Sequence, residues 1–397
     1  MVKMYSPVKV VITSFLYFKY IHLNISQLVR KYTNRVEEHN VETKDGYVLT
    51  LVRIPSKGRA VFLMHGLLGS SDDWVIAGPE SAIAYLLANE GYDVWMGNAR
   101  GNKHSRKHVT ISPSSPAFWD FSWDDIGRYD LPAMIDHVLT VTNQPQVFYV
   151  GHSQGATASI VMCSELPEYN NKISLMIEMA VPTAIPKIKS PFLNFLKFVT
   201  LFHPEILFAL VKELGFYEFL PSSDLIKTFG PKICGVQELA EIVCSNIIFM
   251  SCGFNAAQMN VTNLPVVFSH VPAGASTKQI EHFSQSVMSG KFRRFDYGEM
   301  INLEKYGSKE PPDYKVEEIT TPIAIFYSDN DWLVSVEDVE VLRDRLQNVV
   351  DYYRVPQQDF NHMDYLIAID LKELVFVKML ALFKQFSKSD NVLGSNV

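Results

Sequence analysis

Cysteine is scarce in this chain, with four residues among 397. A small fold held together by disulfides needs a much denser supply, so the sequence excludes a disulfide scaffold. No two cysteines form a C-x-x-C pair, which removes the usual ligand set of a zinc or redox site. We therefore expect neither a metal nor a cofactor. Cys234 and Cys244 flank a short helical stretch and could close a small loop, which would leave Cys252 over.

Positive charge is not in excess either. The formal net charge is −7, which argues against a nucleic-acid partner. There is no internal repeat, low-complexity tract or long block of like charge. The hydrophobic fraction of 47% indicates a globular chain, long enough for one large domain or two ordinary ones.

Long apolar runs are missing as well, so we expect no transmembrane span. The run nearest to one is Val10 to Phe18, which Lys3 and Lys9 precede and Lys19 ends. Nine residues cannot cross a bilayer, but they suit the apolar region of a signal peptide. No clear small-x-small cleavage site follows. We therefore treat residues 1–35 as an N-terminal segment with a possible signal peptide.

Two triplets have the N-x-[ST] pattern that accepts N-linked glycans in secreted proteins. They are Asn24-Ile25-Ser26 and Asn260-Val261-Thr262. Such triplets are common by chance, but both fit a secretory route. We predict Asn24 and Asn260 as glycosylation sites.

Strand and helix patterns alternate through the first half of the chain. This alternation predicts a largely parallel sheet covered by helices on both faces. The loop Gly97 to Asn102 lacks the G-x-G-x-x-G spacing, so it is not a dinucleotide site. The predicted elements are a hairpin over 39–54 around Asp45-Gly46, strands over 60–64 and 93–96, and helices over 80–89 and from Asp124 or Asp125 to 139.

The stretch Gly151-His152-Ser153-Gln154-Gly155 matches G-x-S-x-G. A buried-strand pattern, Val147 to Val150, precedes it, and a helix pattern, Ala156 to Leu166, follows. At such a strand-to-helix turn a serine is held on a strained elbow with its hydroxyl exposed. The alternative is a Gly-Ser turn without chemistry. We interpret Ser153 as a candidate nucleophile.

The pattern changes after residue 183, where the first part of the α/β core, 36–183, ends. From Ala184 to Ser308 the apolar stretches are helical, and they hold 14 of the 25 phenylalanines. This enrichment favours a helical cap and lid with an apolar surface, although a subdomain that packs its own core would also explain it. The α/β core resumes over 309–386, and 387–397 is expected to be a flexible tail.

A serine nucleophile needs a base, and the base needs a group that orients it. His362 is the only histidine after His282, so it is the candidate base. Asp331 is the favoured acid, because it follows a predicted strand in the order Ser-Asp-His. Asp329 in the same loop, and Asp359 or Asp364 beside His362, are the alternatives.

An acyl-transfer site also needs two N–H donors for the oxyanion. The residue after the nucleophile, Gln154, should supply one. The Leu67 backbone, in the loop after the strand 60–64, fits the other. His65 and His152 flank these donors, and we interpret both as loop-shaping residues rather than proton carriers.

Taken together, the ordered motifs resemble the acid lipase family, which contains gastric lipase, lysosomal acid lipase and insect lipases. The resemblance runs from about Val36 to Phe386. The matching pieces are Glu37-Glu38-His39, Asp45-Gly46-Tyr47-Val48-Leu49, His65-Gly66-Leu67-Leu68, Gly97-Asn98-Ala99-Arg100-Gly101-Asn102, Phe121-Ser122-Trp123, Asp130-Leu131-Pro132-Ala133-Met134-Ile135-Asp136, Gly151-His152-Ser153-Gln154-Gly155, Cys252-Gly253-Phe254, Pro272-Ala273-Gly274, Ser289-Gly290-Lys291-Phe292, Asp331-Trp332-Leu333 and Asn361-His362-Met363-Asp364.

The resemblance implies an α/β-hydrolase fold and hydrolysis of neutral lipid esters at a lipid–water interface. It places the triad on Ser153, Asp331 and His362, the oxyanion donors on Leu67 and Gln154, and a cap disulfide on Cys234 and Cys244. It also implies a secreted or lysosomal glycoprotein, with the extracellular location favoured. The alternatives are a sterol-ester or general carboxylester hydrolase, and a catalytically silent lipid-binding protein. The sequence does not indicate an oligomeric state.

Overall fold

A computed structural model describes residues 20–21, 23–191, 194, 204–222, 230, 232–236 and 240–394. The predicted signal-peptide run, Val10 to Phe18, lies outside these residues. In the described part of the chain, no helix combines the length and apolar character that crossing a bilayer requires.

A nine-stranded sheet forms the centre of the molecule. Its strands run in the order β1-β2-β4-β3-β6-β7-β10-β11, and β5 pairs with β2. Every neighbouring pair from β4 to β11 is parallel, whereas β2 pairs antiparallel with β1, β4 and β5. Strands β8 and β9 form a separate two-stranded pair. The strands of the described residues are β1 Glu37–Glu42, β2 Tyr47–Ile54, β3 Ala60–Met64, β4 Asp93–Met96, β5 Lys107–His108, β6 Val147–His152, β7 Ile173–Met179, β8 Glu218–Phe219, β9 Ala275–Ser276, β10 Ile323–Tyr327 and β11 Val349–Arg354.

Helices connect the strands, and three of them contain a π-helical segment. The π segments are Ile126–Asp130 in α3, Ala240–Cys244 in α6 and Lys372–Phe376 in α12. The helices named below are α1 Ile25–Tyr32, α2 Ile83–Asn89, α3 Trp123–Thr142, α4 Gln154–Glu165, α5 Pro204–Glu213, α6 Ala240–Cys252, α7 Leu264–His270, α8 Thr277–Ser289, α9 Glu299–Tyr306, α10 Val336–Arg345, α11 Asp364–Ile367 and α12 Lys372–Gly394.

The sheet separates two hydrophobic cores. Successive side chains of a strand point to opposite faces, and β3 illustrates this: Val61 and Leu63 join one core, Phe62 and Met64 the other. The first core contains α1, α2 and α12, and the second contains α3, α4 and α10. The predicted mostly parallel sheet with helices on both faces is therefore confirmed.

The segment between β7 and β10, which we call the insertion, contains α5 to α9 and the β8–β9 pair. Since β7 and β10 are direct neighbours in the sheet, the insertion leaves and returns at one place. Cys234 and Cys244 form the disulfide that the resemblance implies, and Cys163 and Cys252 are buried free thiols.

Several element boundaries differ from the sequence prediction. Helix α3 begins at Trp123, because the Ser122 side chain accepts a hydrogen bond from Asp124 N and caps the helix. Strand β5 was not predicted, and its two residues carry little pattern. Helix α12 continues to Gly394, past the predicted end at Phe386, because the polar residues in between include neither proline nor glycine.

Candidate active site

Ser153 lies on the sharp turn between β6 and α4. Its φ of 53° is in the left-handed region, which a residue with a side chain adopts only when the surrounding structure imposes it. One such constraint is the hydrogen bond from Ser153 N to Met179 O on β7, at 3.0 Å. The predicted elbow is present, and it holds the serine at the carboxyl end of β6.

The two glycines of the elbow are required by close packing. A Cβ at Gly151 would lie 2.6 Å from Glu178 Oε2 and 2.7 Å from Ala156 N. A Cβ at Gly155 would lie 2.8 Å from the His65 carbonyl oxygen. All three of these Cβ distances are shorter than an ordinary carbon contact. Only glycine therefore lets α4 pack this close to β3 and β7.

The candidate base and the favoured acid are in direct contact. His362 Nδ1 donates to Asp331 Oδ2 over 2.7 Å, and both side chains are buried. The other carboxylate oxygen of Asp331 accepts hydrogen bonds from Leu333 N at 2.8 Å and Val334 N at 2.9 Å. These bonds fix the carboxylate, which in turn fixes the imidazole with Nε2 available for a second partner.

The alternative acids have other partners. Asp329 is partly exposed and pairs with Arg354. Asp364 Oδ2 accepts from Asn255 Nδ2 at 2.6 Å and from Asn361 N at 2.8 Å. The Asp359 carbonyl oxygen accepts a hydrogen bond from Asn330 Nδ2 at 2.9 Å. Of the four candidates, Asp331 is the one that contacts His362.

His152 connects the elbow to the base. Its Nε2 donates to the His362 carbonyl oxygen at 3.0 Å, and the two rings lie 4.9 Å apart. Burial and the neighbouring His362 lower the pKa of His152 well below its ordinary value, so this ring is neutral. No hydrogen bond within the described residues joins Ser153 Oγ to His362, so proton transfer requires the hydroxyl and Nε2 to approach each other.

The loop after β3 lies beside the nucleophile. A Cβ at Gly66 would be 3.0 Å from Ser153 Cβ. His65 Nδ1 donates to Gly66 O at 2.7 Å, and His65 Nε2 accepts from Ala99 N at 3.1 Å. Burial lowers the pKa of His65 to about 4, so it is neutral and shapes the loop that carries Leu67.

Both candidate oxyanion donors are held by the insertion. Gln154 is the first residue of α4, where a backbone N–H has no partner within the helix. Its side-chain oxygen accepts from Gln279 Nε2 of α8 at 3.0 Å. In the other loop Leu68 O, next to Leu67, accepts from Ala273 N at 2.7 Å. Gln279 was missed by the sequence reasoning, because nothing in its local pattern distinguishes it from an ordinary helix residue.

Residues at the end of α6 and just after it form hydrogen bonds with the loop that carries His362. Cys252 O accepts the His362 N–H at 3.4 Å, and Asn361 Nδ2 donates to Gly253 O at 2.9 Å. Asn255 reaches Asp364 from the same segment. These contacts tie the end of α6 to the loop before α11. They were missed as a group, although Cys252-Gly253-Phe254 and Asn361-His362-Met363-Asp364 were both noted as motifs.

The described residues contain no group of three histidine, cysteine, aspartate or glutamate side chains that could hold a metal ion. The two predicted glycosylation sites lie at helix starts. Asn24 is the exposed N-cap of α1, and its side chain accepts from Gln27 N. Asn260 precedes a 3₁₀ turn, Val261–Asn263, and its side chain accepts from Thr262 Oγ1 at 2.7 Å.

The sequence matches two family models, one described as a partial alpha/beta-hydrolase lipase region over residues 25–78 and one as the alpha/beta hydrolase fold over residues 59–188. The solved structure of a bacterial membrane phospholipase A is similar with a TM-score of 0.51 at 12% identity, covering 96% of this chain and 94% of that one. At this identity the structural likeness supports the fold alone, and it confirms the predicted α/β-hydrolase class.

Three curated relatives cover most of the chain. Lipase 1 of Drosophila melanogaster is 41% identical over 361 residues, which are 90% of this chain and 79% of that protein. Lysosomal acid lipase/cholesteryl ester hydrolase of Homo sapiens is 37% identical over 376 residues, 92% of each chain. Gastric triacylglycerol lipase of Rattus norvegicus is 36% identical over 374 residues, again 92% of each. The chain therefore belongs to the acid lipase family of gastric, lysosomal and insect lipases within the α/β-hydrolase fold, and it is a carboxylic ester hydrolase of the lipase type.

Proposed function

We propose that this lipase hydrolyses fatty acyl esters of neutral lipids, of the triacylglycerol type, through Ser153, His362 and Asp331. The observation that carries the proposal is the buried Asp331–His362 pair, with 2.7 Å between Oδ2 and Nδ1. A carboxylate in this position keeps the imidazole in the tautomer whose Nε2 accepts a proton.

The reaction proceeds in two halves. His362 Nε2 takes the Ser153 hydroxyl proton as the oxygen attacks the ester carbonyl carbon, and the imidazolium is stabilised by Asp331. The tetrahedral intermediate collapses to an acyl-enzyme as His362 protonates the leaving alcohol. Water, deprotonated by the same histidine, then attacks the acyl-enzyme and releases the fatty acid and free Ser153.

The Gln154 and Leu67 N–H groups bind the oxyanion in both halves. Two features support this role: Gln154 N opens α4, and the Leu67 loop lies beside Ser153 through Gly66. The N-terminus of a helix favours negative charge, and a donor of this kind is worth about 3 kcal/mol of the barrier.

We propose that the insertion is the cap and lid that faces a lipid–water interface. Most of the large apolar side chains that are exposed in the described residues belong to it, whereas a monomeric soluble surface rarely gathers so many. Those of α5 and the turn after it, the disulfide loop and α6 are Leu210, Leu214, Phe216, Leu220, Ile233, Val236, Val243, Ile247, Met250 and Phe254. The same segment also buries Phe249 and Phe292, which join the two hydrophobic cores on either side of the central sheet.

The proposed chemistry is tested by the change Ser153→Ala. We expect folded Ser153→Ala to lose hydrolysis of tributyrin and p-nitrophenyl esters almost completely, because no other group replaces the nucleophile. Ser114→Ala is the matched control, since Ser114 is exposed and its hydroxyl lies 2.8 Å from that of Ser112. Equal turnover by wild type and Ser153→Ala would disprove the assignment of the nucleophile.

The choice of ester is tested by a substrate panel. The relative named lysosomal acid lipase/cholesteryl ester hydrolase favours sterol ester as the second candidate substrate. We expect wild type to prefer triacylglycerol over cholesteryl ester when both are presented in the same emulsion at pH 5 and pH 7.5. A clear preference for cholesteryl ester would replace the first proposal with the second.

We propose that the chain works after secretion or in a lysosome, with the extracellular location favoured. The sequons at Asn24 and Asn260 and the named gastric and lysosomal relatives support this route. Expression in a secretory cell, followed by intact-mass analysis with and without glycosidase, tests the proposal. A secreted product with glycan mass on both asparagines is the expected result, and retention in the cytosol without glycan would contradict it.

A further inference from the structure

Glu178 is a buried carboxyl group that the proposed reaction does not use. It lies on β7, where its side chain is inaccessible to solvent. Gly151 of the elbow is its neighbour on β6 and Ile325 its neighbour on β10. Its Oε2 lies where a Cβ on Gly151 would collide with it, at 2.6 Å. The carboxyl group is therefore packed directly beneath the turn that carries Ser153.

The surroundings of Glu178 contain no positive charge. No lysine, arginine or histidine side chain of the described residues forms an ion pair with it, and Oε2 has no hydrogen-bond partner there. The titratable groups that face it are Tyr149 on β6 and Cys163 on α4. Burial raises the pKa of Tyr149 well above its ordinary value and that of Cys163 to about 12, so both are neutral.

Ser159 is the hydrogen-bond donor to Glu178, but it also has a second acceptor. Ser159 Oγ on α4 lies 2.7 Å from both Ala156 O and Glu178 Oε1. A hydroxyl has one proton, and a carbonyl oxygen can only accept. While Ser159 donates to Ala156 O, an ionised Glu178 receives no proton from it, so this hydroxyl compensates only part of the charge that burial disfavours. Beside it, Tyr149 OH donates to Gly155 O at 2.7 Å.

We infer that Glu178 is a positioning residue that acts as a neutral carboxylic acid beneath the nucleophile elbow, and that its ionisation sets the alkaline limit of the ester hydrolysis. Protonated, it carries no charge beneath the elbow and leaves the Ser159 hydroxyl to donate to Ala156 O at the start of α4. Ionised, it places an unpaired negative charge beside Gly151, close to the helix N-terminus that stabilises the oxyanion. That charge opposes both the packing of the elbow and the charge that develops during the reaction.

The direction of the pH effect follows from burial. Burial raises the pKa of Glu178 from its ordinary 4.5 to about 8, and the Ser159 contact offsets only part of this. Above that pH the active protonated fraction falls about tenfold with each pH unit. The inference uses the proposed function for its activity measurement, and its other measurement does not depend on turnover.

The main experiment compares the pH profiles of wild type and Glu178→Gln with a soluble ester such as p-nitrophenyl butyrate. We expect equal kcat at pH 6, a fall of about tenfold per pH unit above pH 8 in wild type, and a much smaller fall in Glu178→Gln. Asp124→Asn is the matched control. Asp124 is also a buried carboxyl with a raised pKa, but its partners are the Tyr314 hydroxyl at 2.7 Å and Arg128 at 3.6 Å, on another part of the core. Asp124→Asn should show the same fall in kcat above pH 8 as wild type, which we call the alkaline limb of the pH profile.

Ser159→Ala provides the second variant if Glu178→Gln does not fold. Ser159 lowers the pKa of Glu178, so its removal should move the alkaline limb to higher pH. The infrared difference spectrum of wild type minus Glu178→Gln at pH 6 should show the C=O stretch of one protonated carboxylic acid, even if Ser153 proves not to be the nucleophile, because the other buried carboxyls with a raised pKa are present in both proteins. Superimposable alkaline limbs in wild type and Glu178→Gln, or in wild type and Ser159→Ala if only that variant folds, would overturn the inference, as would the absence of that band from the difference spectrum.

Discussion

Asp329 and Asp331 have the same carboxyl group two positions apart, yet they lie in opposite environments. The Asp331 side chain is 2% exposed and contacts His362, whereas that of Asp329 is 29% exposed and pairs with a surface arginine. A buried carboxylate that contacts an imidazole fixes its tautomer and stabilises its cation, and an exposed ion pair does neither.

We expect Asp331→Asn to lower kcat by about four orders of magnitude while the protein stays folded, because the imidazole loses its orienting acceptor. Asp329→Asn should retain nearly all activity, since it loses only an exposed ion pair with Arg354. Steady-state kinetics with circular dichroism as a check on folding measure both. A similar loss of kcat in the two variants, or a larger loss in Asp329→Asn, would contradict the assignment of Asp331 as the acid of the triad.

At this scale the sequence indicated candidate triad residues more readily than the residues that contact them. Ser153 and His362 could be identified because a strand pattern precedes each of them and because no later histidine competes with His362. Asp331 could not be separated from Asp329 by pattern, because only the turn geometry decides which carboxylate reaches the ring. Gln279 and Glu178 could not be predicted at all, since each acts through a contact between segments far apart in the chain.

At the scale of elements, one buried carboxylate joins three segments around the Leu67 loop. Asp72 belongs to the 3₁₀ turn Ser71–Trp74 and lies 2.5 Å from Lys103 Nζ, 2.8 Å from His104 Nε2 and 2.6 Å from His270 Nδ1. Lys103 and His104 follow β4, and His270 ends α7 of the insertion. The cluster therefore connects the insertion to the core.

We expect Asp72→Asn to lower the free energy of unfolding by about 3 kcal/mol near pH 7, because it leaves the largely buried Lys103 ammonium without its anion. Burial alone would raise the pKa of Asp72, but His104 and Lys103 outweigh it and hold the pKa well below 3.8. A lowered pKa gives stability above the unfolded value that is lost as the pH falls through the folded value. The difference between wild type and Asp72→Asn should therefore shrink only in strong acid.

Urea unfolding at pH 7 and at progressively lower pH measures this difference. Asp344→Asn is the control, because Asp344 pairs with Arg343 and its side chain is 66% exposed. An Asp72→Asn protein as stable as the control at pH 7 would show that the cluster does not hold the insertion to the core.

The elements of the α/β core could be predicted because its central strands are continuous apolar runs buried on both faces, whereas its helices bury one apolar face with a period of 3.6. The arrangement of the insertion could not. Its helices, such as α6 and α8, pack through scattered contacts to β-strand ends and loops rather than through a repeated pattern. The extension of α12 to Gly394 was missed because a polar composition does not exclude a helix.

At the scale of the whole molecule, buried titratable groups determine how stability depends on pH. Burial raises the pKa of Glu178 to about 8, that of Asp73 and Asp364 to about 7, and that of Asp124 and Asp130 to about 6. Each of these groups binds a proton more tightly in the folded state than in the unfolded chain. Each therefore makes the fold less stable as the pH rises from its unfolded to its folded value.

Buried histidines change the stability of the fold in the opposite direction, over a lower pH range. Burial lowers the pKa of His65 to about 4 and that of His282 to about 3, and it lowers the pKa of His152 well below its ordinary 6.5. The unfolded chain binds these protons more tightly, so the fold loses stability as the pH falls below 6.5. Between about pH 4 and 6.5 the two groups of residues largely oppose each other.

Above pH 6.5 the histidines are neutral in both states, and the raised carboxyls alone determine the slope. We therefore expect the melting temperature to be higher at pH 6 than at pH 8, with each group that still titrates contributing up to about 1.4 kcal/mol per pH unit. The melting temperature of Glu178→Gln should fall less over this interval than that of wild type, because the variant lacks the carboxyl with the highest of these pKa values. Differential scanning calorimetry at half-unit steps measures both curves. A melting temperature that is constant or rises from pH 6 to pH 8 would mean that these carboxyls are already ionised in the folded protein.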